Sequence, residues 1–181
     1  MKPGSFRIES VTEEHIAGFN HAVDLVAREK KYLARTEAPS VGESEAFVRD
    51  NIRSGNPHFV AMAGAEVVGW CDIVRMKKAA FSHCGTLGMG VVEAFRGQGI
   101  GLALIRAALA GAQSIGLERV ELEVFHTNTG AIALYEKVGF HTEGTKARAA
   151  RLEGRYLDTL QMALFLDAYK EPATSDGRET R

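Results

Sequence analysis

Two groups of residues in this chain have the types and spacing to do chemistry. The first is Arg96-Gly97-Gln98-Gly99-Ile100-Gly101. An apolar segment, Leu87 to Val92, runs into it, and a long apolar helical pattern, Leu102 to Ile115, runs out of it. That order predicts a strand, a glycine-rich turn and a helix start. Glycines let the backbone turn sharply and let a ligand approach the main chain without meeting a Cβ. The first N–H groups of the helix have no intrahelical partner, and its dipole places partial positive charge there. Together these features make an anion site, most naturally for phosphate, with Arg96 adding a full charge. The second group is Asn128 and, about two helical turns on, Tyr135. It offers an amide and a phenol whose proton is still present at neutral pH.

Familiar phosphate loops do not fit the hexapeptide. A Walker loop needs Gly-Lys-Ser/Thr, and no lysine is present. A dinucleotide fingerprint, G-x-G-x-x-G/A, fails because its last position falls on Leu102 or Leu104. A glycine-rich turn without a ligand is the plain alternative.

The elements that must position these residues are legible in order. Phe6 to Ser10 reads as a first strand. Thr12 reads as the N-cap of a helix carrying Ile16, Phe19, Val23 and Val26 at helical spacing, with Val11 and Ile16 as a hydrophobic staple. A loop from Lys31 to Gly42 precedes a second helix, roughly Glu43 to Ser54, ended by Gly55. Within that loop Tyr32, Arg35 and Glu37 are candidates for acceptor contacts, since loops on a rigid scaffold carry such residues. His58 to Ala63 and Glu66 to Met76 read as a hairpin, and a third run from Phe81 or Ser82 to Val92 follows. Its Gly85, Gly88 and Gly90 suggest a bulge or the close approach of a ligand to the backbone, and a bulge here would splay this strand from its neighbour and open a slot. The helix after the glycine loop is apolar almost all round and so is buried on more than one side. Val120, Leu122 and Val124 alternate with Glu121 and Glu123 in the next strand, which a crossover helix makes parallel to the previous one. Asn128 or Thr129 caps a short helix with Gly139 at its end. The first turn of that helix lies beside the glycine loop.

The pair of motifs, Arg96-x-x-Gly99-x-Gly101 and Asn128-x-x-Ala131-x-x-Leu134-Tyr135-x-x-x-Gly139-Phe140, resembles the GCN5-related N-acetyltransferases (GNAT) at every named position. The resemblance spans roughly Ile73 to Leu166. It implies an α/β fold with a mixed, mostly antiparallel sheet, helices on both faces and a splayed pair of parallel strands. It also implies acetyl-CoA as co-substrate, with no metal. Met89 and Val91 would offer backbone groups to the pantetheine arm. Amides of Gly97, Gln98, Gly99, Ile100 and Gly101, with the Arg96 region, would hold the pyrophosphate. Asn128 would contact the cofactor arm, and Tyr135 would protonate the departing thiolate. The implied reaction is direct attack by a primary amine in a ternary complex.

The amine must lose a proton first, so a base is needed. Glu93, directly after the cofactor strand, is taken as the candidate, with His83, Glu121 and Glu123 as alternatives; the family has no fixed base. The string Arg151-x-x-Gly154-x-Tyr156-x-Asp158-x-x-x-Met162 resembles the closing hairpin of bacterial members that act on small amines, free amino acids or protein N-termini. An acyl-CoA-binding sensor without turnover is the other-class alternative.

Composition is that of an ordinary soluble protein: 181 residues, 45% hydrophobic, 25% charged and a net charge of −1. Such a balance gives no basic field for nucleic acid, and no apolar run approaches the roughly 18 residues of a membrane span. Cys71 and Cys84 are too few for a disulfide framework or a zinc site. The expectation is one cytoplasmic domain over 1–169 with a disordered tail over 170–181, monomeric or as a homodimer.

Overall fold

The computed structural model describes residues 5–169, so the expected tail lies outside the described residues. Seven strands form one sheet in the order β1-β2-β3-β4-β5-β7-β6. They are β1 (Arg7–Ser10), β2 (His58–Ala63), β3 (Glu66–Arg75), β4 (Cys84–Val91), β5 (Arg119–Phe125), β6 (His141–Leu152) and β7 (Arg155–Phe165). The four α-helices are α1 (Ile16–Arg28), α2 (Val41–Ser54), α3 (Ile100–Ser114) and α4 (Thr129–Val138). All strand pairs are antiparallel except β4 with β5. This is the mixed, mostly antiparallel GNAT-like arrangement that the resemblance implies.

Helices cover both faces, and each face has its own core. On one, α3 packs against β2, β3 and β4, burying Ile100, Leu104, Ile105 and Leu109 with Cys71, Ile73 and Val120. Each such side chain contributes about 1.5–3 kcal/mol by leaving water, so α3 is a fixed base for the loop at its N-terminus. On the other, Phe19, Val23 and Val26 of α1 and Val48 of α2 pack on Val60 and Trp70.

Local signals act as expected at most boundaries. Val11 and Ile16 are buried together, and Thr12 N–H donates to His15 Nδ1 at 3.0 Å as the chain enters α1. Helix α2 begins at Val41, earlier than Glu43. The reason is Ser40, whose Oγ accepts from Glu43 N–H at 3.3 Å while the Glu43 carboxylate accepts from Ser40 N–H at 2.9 Å. That is a reciprocal capping box. Strand β4 begins at Cys84, because Ala79–Phe81 forms a 3-10 turn instead.

The expected bulge in β4 is absent. Its register with β3 is unbroken from Arg75↔Gly85 to Gly69↔Val91. The glycines are there for close approach: a Cβ at Gly90 would lie 2.3 Å from the Trp70 ring, and one at Gly85 would lie 2.6 Å from Ile73. The splay has another origin. Strands β4 and β5 pair only over Cys84–Thr86 against Arg119–Glu121, after which β5 continues against β7 alone. Beyond Thr86 and Glu121 the two strands enclose a slot. Among the described residues no helix is long and apolar enough to cross a membrane.

Candidate active site

The slot is a cavity of about 780 Å³, bounded by β4 and β5, the loop 96–101, the first turns of α3 and α4, and the segment after α1. Gly97 and Gly99 have φ of +74° and +83°, conformations that L side chains rarely adopt. No atom would meet a Cβ at either position, so backbone conformation, not crowding inside the protein, requires glycine there. Gly101 is different: its Cβ would lie 3.1 Å from Leu134, so it lets α3 and α4 pack closely. The first helical bond of α3 runs from Ala103 N–H to Gly99 at 3.1 Å, and no side chain caps the helix. The N–H groups of Ile100, Gly101 and Leu102 are therefore left for an anion at the cavity wall. These features fit a bound pyrophosphate.

Arg96 lines the cavity, but its charge is committed elsewhere. Its guanidinium pairs with both carboxylate oxygens of Glu29 just beyond α1, at 2.8 Å for Nη1, and lies 4.6 Å over the Tyr32 ring. Its Nε donates to the Val91 carbonyl at 2.8 Å. Of Val91's two backbone groups, the carbonyl is therefore taken. Met89 and Val91 both line the cavity, while Gln98 is exposed and outside it, donating to the Ala94 carbonyl at 3.2 Å. Asn128 caps α4 by accepting from Ala131 N–H at 3.3 Å and lines the cavity with its remaining groups.

Tyr135 lies on the buried face of α4, 7% exposed, with its ring 5.8 Å from Phe140. It lines the cavity, and its hydroxyl makes no hydrogen bond among the described residues. Burial pushes the phenol upward, so it holds its proton throughout the neutral range.

The candidate bases lie in different places. Glu93 is exposed on a 3-10 turn and does not line the cavity. His83 is exposed, and Glu121 lies within 3.4 Å of Arg119. Glu123 is the alternative that reaches the cavity. Its two oxygens accept from Thr159 Oγ1 at 2.5 Å and from Lys146 Nζ at 2.7 Å, which hold it below the usual carboxylate range. Of the loop residues proposed for acceptor contacts, Tyr32 lines the cavity, whereas Arg35 and Glu37 are exposed outside it.

A second cavity of about 510 Å³ adjoins the first, with Tyr32 and Thr127 in the walls of both. Lys30, Lys31, Glu153 and Arg155 also line it, and Lys30 pairs with Glu153 at 2.5 Å, joining the segment after α1 to the β6–β7 turn. Nothing in the sequence placed those two segments together. Among the described residues no group of three or more His, Cys, Asp or Glu side chains is placed to hold a metal ion.

Comparison with known proteins agrees with this geometry. The sequence pattern of the acetyltransferase (GNAT) family matches residues 23–140. The L-amino acid N-acetyltransferase AaaT of Escherichia coli K12 is 33% identical over 112 residues, 61% of this chain and 69% of that protein. The N-alpha-acetyltransferase RimI of Mycobacterium tuberculosis is 34% identical, covering 67% of this chain and 84% of its own. In fold, the chain is similar to a GNAT-family acetyltransferase from Streptococcus pneumoniae, with a TM-score of 0.83 and 24% identity over 89% of this chain and 99% of that one. It is also similar to a phosphinothricin acetyltransferase from Sinorhizobium meliloti in complex with acetyl-CoA, with a TM-score of 0.84 and 19% identity over 93% and 94%. A cavity that joins a glycine-built anion site to a buried phenol is thus seen within a matched family: the chain belongs to the acetyltransferase (GNAT) family and is an acetyl-CoA-dependent acetyltransferase.

Proposed function

We propose that the protein moves the acetyl group of acetyl-CoA onto the primary amine of a small acceptor bearing a carboxylate, an amino acid in class, by direct attack with both molecules bound. The observation that carries this reading is the single cavity running from the loop 96–101 to Tyr135. Acetyl-CoA supplies a thioester whose acetyl carbon is open to attack by a neutral amine. Backbone N–H groups of residues 97–101 hold its pyrophosphate, and Met89, Val91 and Asn128 border its arm. Tyr135 presents a protonated hydroxyl with no hydrogen-bond partner among the described residues, so that proton is available to a departing thiolate. Glu123 stands at the cavity wall as a carboxylate already engaged by Lys146 and Thr159. No cysteine lines the cavity, which suits direct attack over a covalent acetyl-enzyme.

Charge supports the acceptor class. In the adjoining cavity Lys31 and Arg155 make no ion pair among the described residues, so two cations remain for a carboxylate. A polyamine or aminoglycoside would meet repulsion there. Amino acids are what the AaaT relative is named for, and the RimI relative is named for α-amines. Cys71 and Cys84 are both buried free thiols, which suits a reducing cytoplasm.

Thiol release from acetyl-CoA against a panel of amines tests the proposal. Free amino acids should turn over best, their amides at least about tenfold less well for want of one charge-assisted contact, and polyamines least. Turnover of polyamines above amino acids overturns the acceptor class. Absence of thiol release with every amine overturns catalysis in favour of a sensor.

A further inference from the structure

Resting on the acetyl-transfer reading, we propose that Asp72 is the base that takes the proton from the incoming amine, reached through a gap that Gly88 leaves in the wall of the slot. Asp72 lies on β3, 7% exposed, directly opposite Gly88 of β4 in the register. A Cβ built on Gly88 would have three atoms nearest to it, all of Asp72, with both carboxylate oxygens at 3.4 Å. With no side chain at Gly88, nothing of that residue beyond its backbone stands between the carboxylate and the cavity that Gly88 lines. An amine held in the cavity can hand its proton to Asp72 past Gly88, directly or through a relaying water.

A buried carboxylate is normally hydrogen-bonded or paired. Asp72 has no such partner among the described residues, which sets it apart from Glu123, whose two oxygens are both taken. Its surroundings carry no compensating charge. Opposite it on β2 is His58, which burial pushes down to about 4 and so keeps neutral. Its Nδ1 is 3.2 Å from Asn51 of α2, itself uncharged. On β4 the facing positions are Gly88 and Gly90, and across the slot is Glu123 of β5. Burial alone raises Asp72, to about 7, where a base operates well at neutral pH. The pair of carboxyls is thus split into a fixed anion and a titrating base.

The step balances as follows. Asp72 takes one proton from R–NH₃⁺. The nitrogen lone pair forms the C–N bond as the C–S bond breaks, and Tyr135 gives its proton to the thiolate. The second proton shed by nitrogen refills Tyr135, and Asp72 releases its proton to water, leaving amide, thiol and one H⁺.

The test measures kcat/KM for an amino-acid acceptor from pH 5.5 to 9, acetyl-CoA Kd and the pH dependence of Tm, in wild type, Asp72→Asn and Gly88→Ala. Expected in Asp72→Asn is a loss of about 10²-fold in rate. The acid limb near pH 7 should vanish, leaving only the amine's own ionisation at higher pH, with acetyl-CoA Kd unchanged. Without ligand, wild type binds an extra proton on folding between the ordinary Asp value of 3.8 and about 7. It should therefore lose stability against Asp72→Asn as pH rises through that window. Gly88→Ala adds a Cβ at ordinary contact distance, so it should fold normally yet screen the carboxylate from the cavity and slow turnover; it decides the matter if Asp72→Asn does not fold. An unchanged acid limb in Asp72→Asn, or full activity in Gly88→Ala, overturns the assignment. A wild type that acetylates no amine overturns the acetyl-transfer reading and this role with it.

Discussion

The two walls of the slot are built from different materials. One wall, the loop 96–101 with the first turns of α3 and α4, presents backbone N–H groups fixed by positive-φ glycines and by helix ends. The other presents side chains: Tyr32 after α1, Gly88 with Asp72 behind it, and Glu123 of β5. A backbone wall recognises what every acetyl-CoA shares. It needs few side chains, but it is intolerant of any Cβ that alters its backbone. A side-chain wall recognises an acceptor by charge and shape, and single substitutions there should retune the reaction without abolishing cofactor binding.

The largest effect expected is on the backbone wall. Gly99→Val forces a β-branched residue to φ +83°, where it is an outlier, and places methyl groups at the proposed pyrophosphate site. Binding of acetyl-CoA should weaken at least about 100-fold. The rise in Tm that saturating ligand gives the wild type, worth about 2.7 kcal/mol at a hundred times Kd, should then disappear. The protein should remain folded, since no atom lies within 4 Å of that Cβ. A retained thermal shift would separate the loop from the cofactor.

Next in size is Tyr135→Phe, which keeps the ring against Phe140 and removes a hydroxyl with no hydrogen bond to lose. Stability should hold or rise slightly. The effect belongs in kcat, a drop of about tenfold to a few hundredfold, with acetyl-CoA Kd unchanged. An unchanged kcat when chemistry limits the rate would leave the proton to water.

These walls also differ in how much of them the sequence shows. The backbone wall is legible because its signals are local: glycine spacing, an Asn cap and an apolar strand and helix on either side. The parallel β4–β5 pair followed from one crossover. The side-chain wall is only partly legible: Tyr32 and Glu123 stand out as candidates in the sequence, but Asp72 does not, because only the sheet brings it to the slot. Asp72 sits in an apolar run that reads as a plain buried strand, and its meaning depends on the register that sets Gly88 opposite it. Glu93 had the better sequence position, next to the cofactor strand, yet a 3-10 turn carries it out to solvent. The missing β4 bulge has a similar cause. Glycines in a strand signal either an irregular backbone or a close approach, and only the neighbouring strand decides: Trp70 and Ile73 account for two of them. The α2 start is legible, since Ser40 and Glu43 are an ordinary capping box.

One contact joins the two walls, and breaking it should give the smallest effect. Arg96 belongs to the glycine motif, yet its guanidinium holds Glu29 and covers Tyr32, while its Nε holds the Val91 carbonyl. Its charge is therefore spent on fixing the segment after α1, which forms part of the proposed acceptor side. Glu29→Gln keeps the shape and one acceptor oxygen but removes the ionic partner. The pair is partly screened, with Arg96 and Glu29 side chains 31% and 15% exposed, so the loss should be modest, about 1 kcal/mol. If the contact positions the acceptor segment, KM for the amine should rise about three- to tenfold, while acetyl-CoA Kd stays within about twofold. If Arg96 instead serves the pyrophosphate, freeing it from Glu29 should tighten acetyl-CoA binding and leave the amine KM unmoved. We expect the first pattern, because the Nε bond to Val91 and the Tyr32 ring keep the guanidinium on the acceptor side after the charge is removed.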